Sequence, residues 1–106
     1  MAGEDTVSDE MRLLEDLRSR RTEIVGVASR HGAGNVAVFG SVARGEETAE
    51  SDVDLLIDVV GPTSAWFPGG LVAEWEEMLG RRVQVVTRRS LRAGIREVVM
   101  GEAVPL

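Results

Sequence analysis

The chain has no cysteine, no tyrosine and no lysine among its 106 residues. Without cysteine there is no disulfide to staple the fold and no thiolate to ligate a metal, so a packed core must supply the stability. The same lack fits a reducing, cytoplasmic setting. Without lysine, all 12 basic residues are arginine, the side chain suited to gripping phosphate oxygens in a fixed geometry. Arg81, Arg82, Arg88 and Arg89 bracket one short apolar segment, as a phosphate grip or simply as a solvated rim. No apolar run approaches the roughly 20 residues of a bilayer span, so no membrane partner is expected. Met1 to Glu10 is acidic and polar, unlike a signal peptide. A net charge of −6 leaves no basic face for duplex DNA. The length suits one compact domain, residues 1–106, with 1–8 expected to be a flexible N-terminus and no room for a second domain to hold a substrate.

Apolar periodicity supplies the elements. Leu14, Leu17, Ile24, Val25 and Ala28 recur at helical spacing, with Ser8 as N-cap and the polar patch Arg18 to Thr22 as the place for a break. Gly32 is free to take a left-handed cap. Asn35 to Phe39 reads as a strand, Gly40 to Ser51 as a polar loop, and the β-branched run Val53 to Val60 as a second strand. A helix carrying Leu71, Val72, Trp75, Met78 and Leu79 on one face stops at Gly80. Val83 to Thr87 is a third strand, Ser90 caps a last helix to about Met100, and Ala103 to Leu106 is a short edge strand. Trp66, Trp75 and the methionines are expected in the core. Helix, strand, strand, helix, strand, helix predicts an α/β (α+β) fold, a small mixed sheet of three to four strands with helices packed on it.

The polar segments carry the chemistry. Gly40 and Ser41 leave the end of the first strand, where a glycine lets backbone approach a ligand and exposed N–H groups can face phosphate oxygens. The Ser41 hydroxyl adds a donor and Arg44 a positive charge. Taken alone, a Gly-Ser turn is weak evidence of a site. Asp52 and Asp54 stand two apart on a strand, on one face and roughly 7 Å apart. Such a pair is either two solvated aspartates at a strand's start or two carboxylates sharing a divalent cation. Oxygen-only donors favour Mg2+ or Mn2+ over zinc.

Gly40-Ser41, ten intervening residues and Asp52-Val53-Asp54 together match the signature of the polymerase-beta-like nucleotidyltransferases. More closely, Phe39 to Glu46 and Ser51 to Ile57 resemble the core of the minimal nucleotidyltransferase (MNT) family almost residue for residue. The likeness continues through Leu79-Gly80-Arg81-Arg82-Val83, Val86 to Arg89 and Glu102 to Leu106, so it covers most of the chain. The resemblance implies the polymerase-beta-like fold, ATP as substrate with magnesium, and transfer of a nucleotidyl group to a hydroxyl. It implies that Gly40 and Ser41 hold the triphosphate, Arg44 assists them, and Asp52 and Asp54 carry the metal beside Ser41. Small MNT proteins are also similar to antitoxins that pair with a HEPN ribonuclease toxin, some by attaching AMP to a tyrosine of it.

One residue departs from the family pattern. A third carboxylate belongs on the next strand, and Gln84, the only glutamine in the chain, stands there. An amide offers a metal its carbonyl oxygen but cannot accept a proton as a general base. Asp58 shares the face of the pair but lies roughly 13 Å beyond Asp54. The sequence therefore leaves two leading functions open, an AMP-transferring antitoxin or a weakened one that neutralises its toxin by binding. A transferase acting on a small molecule such as an aminoglycoside is a third, against which the chain's size argues.

Overall fold

The computed structural model describes residues 13–106. The Ser8 cap and the flexible 1–8 segment lie outside the described residues.

Residues 13–19 form helix α1 and Arg21–Arg30 form α2, separated by a turn at Arg20, inside the expected break. Strand β1 spans Ala33–Phe39, α3 Gly40–Arg44, β2 Val53–Val59, α4 Gly69–Leu79, β3 Val83–Thr87, α5 Ala93–Glu102 and β4 Val104–Pro105. A 3-10 turn, Arg88–Ser90, precedes α5. The sheet order is β3-β2-β1-β4, with β1 antiparallel to β2 and β4, and β2 parallel to β3. The expected mixed sheet of up to four strands is the observed one.

Strand alternation divides the interior unequally. Val36 and Val38 of β1, Val53, Leu55 and Ile57 of β2 and Val83 of β3 join Leu17, Ile24, Val27, Ala28, Leu71 and Trp75 in the main core. That face is covered by α1, α2 and α4. The other face has a small cluster of Ala37, Leu56 and Val99, with Phe39, Val86, Leu91 and Ala103 packed around it. Only α5 covers it. Because successive side chains alternate, Asp54 and Asp58 share this thinner face with Leu56, and Gln84 shares it with Val86.

Trp75 is fully buried, and its Nε1 donates to the Ile24 carbonyl at 3.1 Å, tying α4 to α2. Gly80 ends α4 at φ 67°, as its place after the last apolar residue predicts. His31 Nε2 lies 2.9 Å from Glu74 Oε1, and Arg30 pairs with the same carboxylate, a second tie between α2 and α4.

Several expectations are corrected. Trp66 is 84% exposed, because it sits in the loop between β2 and α4 while Trp75 fills the core. Met100 is exposed too, since α5 buries a single residue, Val99. Val25 lies one residue off the buried stripe of Ile24, Val27 and Ala28 and is 38% exposed. Ser90 does not cap α5: its hydroxyl donates to the Thr87 carbonyl within the 3-10 turn, and the helix starts after Arg92 and runs through Glu102. Gly40 to Ser51 is not all loop, for its first five residues make α3.

β1 begins earlier than expected and carries a bulge. Gly34 pairs with Asp58 and Ala37 with Leu56, so one extra residue sits on β1. Asn35 absorbs it at φ 51°. Its Nδ2 donates to Asp58 Oδ2 at 2.8 Å, and its carbonyl accepts Arg88 Nη1 at 2.6 Å. Arg88 Nη1 also lies 3.2 Å from Asp58 Oδ1. The hydrogen bond from Asn35, then Arg88, holds the Asp58 carboxyl below the usual range. A folded-state pKa below the unfolded value stabilises the fold at neutral pH, and the effect is lost as pH falls through the folded value. Asp58→Asn is expected to lower stability by about 0.5–1 kcal/mol at pH 7, a melting shift of roughly 2–8 °C. In melts across pH, the gap between the two proteins should stay constant above pH 5 and close below 3.8, the ordinary aspartate value.

Candidate active site

The site forms where β1 ends. Phe39 is extended, and Gly40 then turns the chain into α3 at φ 74°, a left-handed conformation that glycine adopts without steric cost. Fully buried Val42 anchors the helical turn to the main core. Gly45 closes it, also left-handed at φ 72°. Ser41 is left half-buried at the head of the turn.

The partner strand brings the first carboxylate. Phe39 pairs with Asp54 across the antiparallel ladder. The Asp54 carboxylate lies directly over Gly40: a Cβ at position 40 would overlap Oδ2 and sit 3.1 Å from Cγ. Glycine is therefore required at 40 twice, for its dihedral and for the space that Asp54 takes. Burial pushes the Asp54 carboxyl above its usual range, and the neighbouring Asp52 charge pushes it further, with Arg44 acting in the opposite sense.

Asp52 stands just before β2. Its Oδ1 is 3.4 Å from Arg82 Nε, and its Oδ2 is 3.4 Å from Gln84 Nε2. Gln84 pairs with Asp54 in the parallel ladder. The three positions singled out in the sequence thus meet on one face. The segment that delivers Asp52 is fastened by its own turn, Ser51 N–H donating to the Thr48 carbonyl at 3.1 Å. Arg81 Nη1 adds a bond to the Ser51 carbonyl at 3.2 Å. Of the four arginines around β3, Arg81 and Arg88 therefore hold backbone, Arg82 faces Asp52, and Arg89 is exposed.

Other acids are accounted for elsewhere. Asp58 is engaged with Asn35 and Arg88, and Glu76 Oε2 accepts the Val83 N–H at 3.0 Å. Among the described residues, no group of three or more His, Cys, Asp or Glu side chains could hold a metal ion. Among the described residues, Asp52 and Asp54 are the carboxylates that β2 and the segment before it bring to this place.

Sequence reasoning missed one residue. Glu102, at the end of α5, accepts the Gly40 N–H on Oε1 at 2.9 Å and Arg44 Nη1 on Oε2 at 3.0 Å. Arg44 Nε also reaches Glu46 Oε1 at 2.9 Å. The signal lies in the β1–β4 register: Val38 pairs with Val104, so two residues on and two residues back bring Gly40 opposite Glu102. Nothing in the helical pattern of α5 shows it.

The nucleotidyltransferase domain model matches residues 12–106. The chain belongs to the nucleotidyltransferase domain family. A solved minimal nucleotidyltransferase superposes with TM-score 0.76 at 44% identity, covering 88% of this chain and 95% of that one. The protein adenylyltransferase MntA of Thermococcus cleftensis is 40% identical over 75 residues, 71% of this chain and 76% of the relative. A Methanocaldococcus jannaschii protein named for protein adenylyltransferase activity is 32% identical over 84 residues, 79% of this chain and 90% of the relative. A toxin–antitoxin structure with AMP-PNP shares the fold at TM-score 0.67 and 17% identity, over 79% of this chain and 69% of that one. Within this nucleotidyltransferase fold, Gly40 and Gly45 offer a matched pair for a test, because nothing lies within 4 Å of a Cβ on Gly45. Gly45→Ala meets only the left-handed strain, about 1–2 kcal/mol. Gly40→Ala meets the same strain and must also expel the Asp54 carboxylate. Thermal melts are expected to show the larger loss for Gly40→Ala by at least about 1 kcal/mol; equal losses would count against the packing of Asp54 on Gly40.

Proposed function

We propose that this nucleotidyltransferase is a protein adenylyltransferase serving as the antitoxin of a toxin–antitoxin pair in the cytoplasm, moving AMP from ATP to a hydroxyl of its cognate toxin. The expected toxin is a HEPN-type protein and the expected acceptor a tyrosine. The observation that carries the reading is the packing of Asp54 on Gly40, with Ser41, Arg44 and Asp52 around it. The adenylyltransferase relatives and the fold shared with toxin–antitoxin structures support it.

The residues fit a divalent cation. Asp54 is raised by burial and by the charge of Asp52, the electrostatic situation that a bound dication relieves. Two carboxylates with substrate phosphates and water are the usual magnesium donors. Asp52 and Asp54 would hold Mg2+ or Mn2+, which when bound stabilises charge on the phosphates. Gly40 N–H, Ser41 and Arg44 bind and orient the triphosphate. The acceptor hydroxyl oxygen bonds to the α-phosphorus as the bond to the bridging oxygen breaks. Pyrophosphate leaves with that electron pair, and the hydroxyl proton passes to solvent.

Gln84 favours a second reading, a degenerate antitoxin that neutralises by binding alone. Its amide stands in register with Asp54 and against Asp52, and it cannot take the acceptor's proton. Intact-mass measurement of the toxin after incubation with this protein, ATP and magnesium separates the two. A gain of one AMP supports transfer, and a stable complex with unchanged mass supports binding alone.

Two further outcomes follow from the geometry. Calorimetry on the Asp52→Asn, Asp54→Asn double variant is expected to show ATP·Mg affinity reduced at least tenfold; undiminished affinity would refute the metal assignment. Gln84→Asp puts a carboxylate beside Asp54 in the ladder and supplies a base. Labelled-AMP transfer should rise at least tenfold, toward the roughly hundred- to ten-thousandfold worth of a general base. A well-folded variant with no gain would show that position 84 takes no part in transfer.

A further inference from the structure

We propose that Glu102 is a nucleotide-displaceable latch: its carboxylate occupies the donors that the phosphates take, and ATP binds by evicting it. The inference rests on the nucleotide reading above. The two oxygens of Glu102 are divided between the Gly40 N–H, at 2.9 Å, and Arg44 Nη1, at 3.0 Å. These are two of the groups assigned to the triphosphate. A carboxylate bridging a backbone N–H and a guanidinium satisfies them as two oxygens of one phosphate would. Glu102 is thus an internal anion in the place of the external one.

The surroundings favour release over permanent structure. The Glu102 side chain is 21% exposed, so it is mostly covered yet keeps an edge in contact with solvent. Its charge is felt at Asp54, so it adds a further negative charge beside the aspartate pair. An arriving phosphate and Glu102 cannot both sit on one N–H donor, and like charge disfavours their staying close. Arg44 keeps Glu46 as a second partner at 2.9 Å, so losing Glu102 frees one arm of the guanidinium without setting the side chain adrift. The segment after Glu102 is lightly held: β4 has two residues, paired with Ala37 and Val38, and Leu106 N–H donates to the Val36 carbonyl. Eviction of Glu102 therefore acts on α5, which covers the thin face of the sheet.

Glu102→Gln keeps the side chain's size and one acceptor but removes the competing charge. In calorimetry with ATP and Mg2+, the full chain carrying this change is expected to bind roughly tenfold more tightly than the natural protein. Glu102→Asp, shorter by one methylene, loosens the same two bonds and gives the same sign if Glu102→Gln fails to fold. Amide exchange at Gly40 reads the contact without nucleotide: Glu102→Ala should speed it severalfold. Binding that is equal or weaker in well-folded Glu102 variants overturns the latch while leaving the nucleotide reading intact, and weaker binding makes Glu102 a positioning residue instead. Absence of ATP binding in natural and variant proteins alike overturns both readings. Unchanged Gly40 exchange in Glu102→Ala overturns the latch on its own.

Discussion

The carboxylate of Asp54 rests on the α-carbon of Gly40, and the geometry of the site follows from that contact. It requires a residue without a side chain where β1 gives way to α3, at a dihedral that glycine takes freely. It also requires the antiparallel register that sets Phe39 opposite Asp54. Both sides are clamped by apolar neighbours with no freedom to shift, Val42 after the glycine and Val53 and Leu55 around the aspartate, all fully buried. Only the two ends of the connection need fixing. The segment between them can be polar and largely exposed, fastened by the Thr48–Ser51 turn and by Arg81.

The unequal faces of the sheet explain why charge can sit there. On the covered face, three helices bury Val53, Leu55 and Ile57 of β2, and a carboxylate among them would have no compensation. On the other face, α5 reaches Ala37 and Leu56 through Val99, and the start of β2 is left half-buried at Asp54. Asp54 lies at that margin, where it is dry enough for its carboxyl to be shifted upward and open enough to meet a ligand. Asp58, on the same face at the far end of the strand, has its charge neutralised by Arg88 and serves the bulge at Asn35 instead.

The order of elements was legible because periodicity and glycine stops are local properties. Leu17, Ile24, Leu71 and Trp75 announce their faces, and Gly32 and Gly80 their turns. The gathering of Gly40, Ser41, Asp52 and Asp54 was legible from spacing and resemblance, and the placing of Gln84 beside them from the resemblance. What stayed hidden depends on contacts between distant segments. Glu102 meets Gly40 only through the pairing of β4 with β1, which a two-residue strand does not advertise. Trp66 misled because a large aromatic in a proline-rich loop has no period to say which way it points. Ser90 misled because its hydroxyl found the Thr87 carbonyl before any helix began.

Charge completes the account of the site. Around Gly40 stand Asp52, Asp54, Glu46 and Glu102, against the guanidinium groups of Arg44 and Arg82. Arg44 is already shared by two carboxylates, so the loop is not a free cationic pocket, and a bare triphosphate would add charge of the sign already in excess. A dication held by Asp52 and Asp54, as proposed, would reverse that balance locally and let phosphates compete for Gly40 and Arg44. With Gln84 in place of a third acid, less negative charge would have to be offset on that reading, which would ease nucleotide binding while withholding the base that transfer would use. On the proposed reading, binding and chemistry would be separable: the first would rest on Gly40, Arg44 and the aspartate pair, and the second would be limited at position 84.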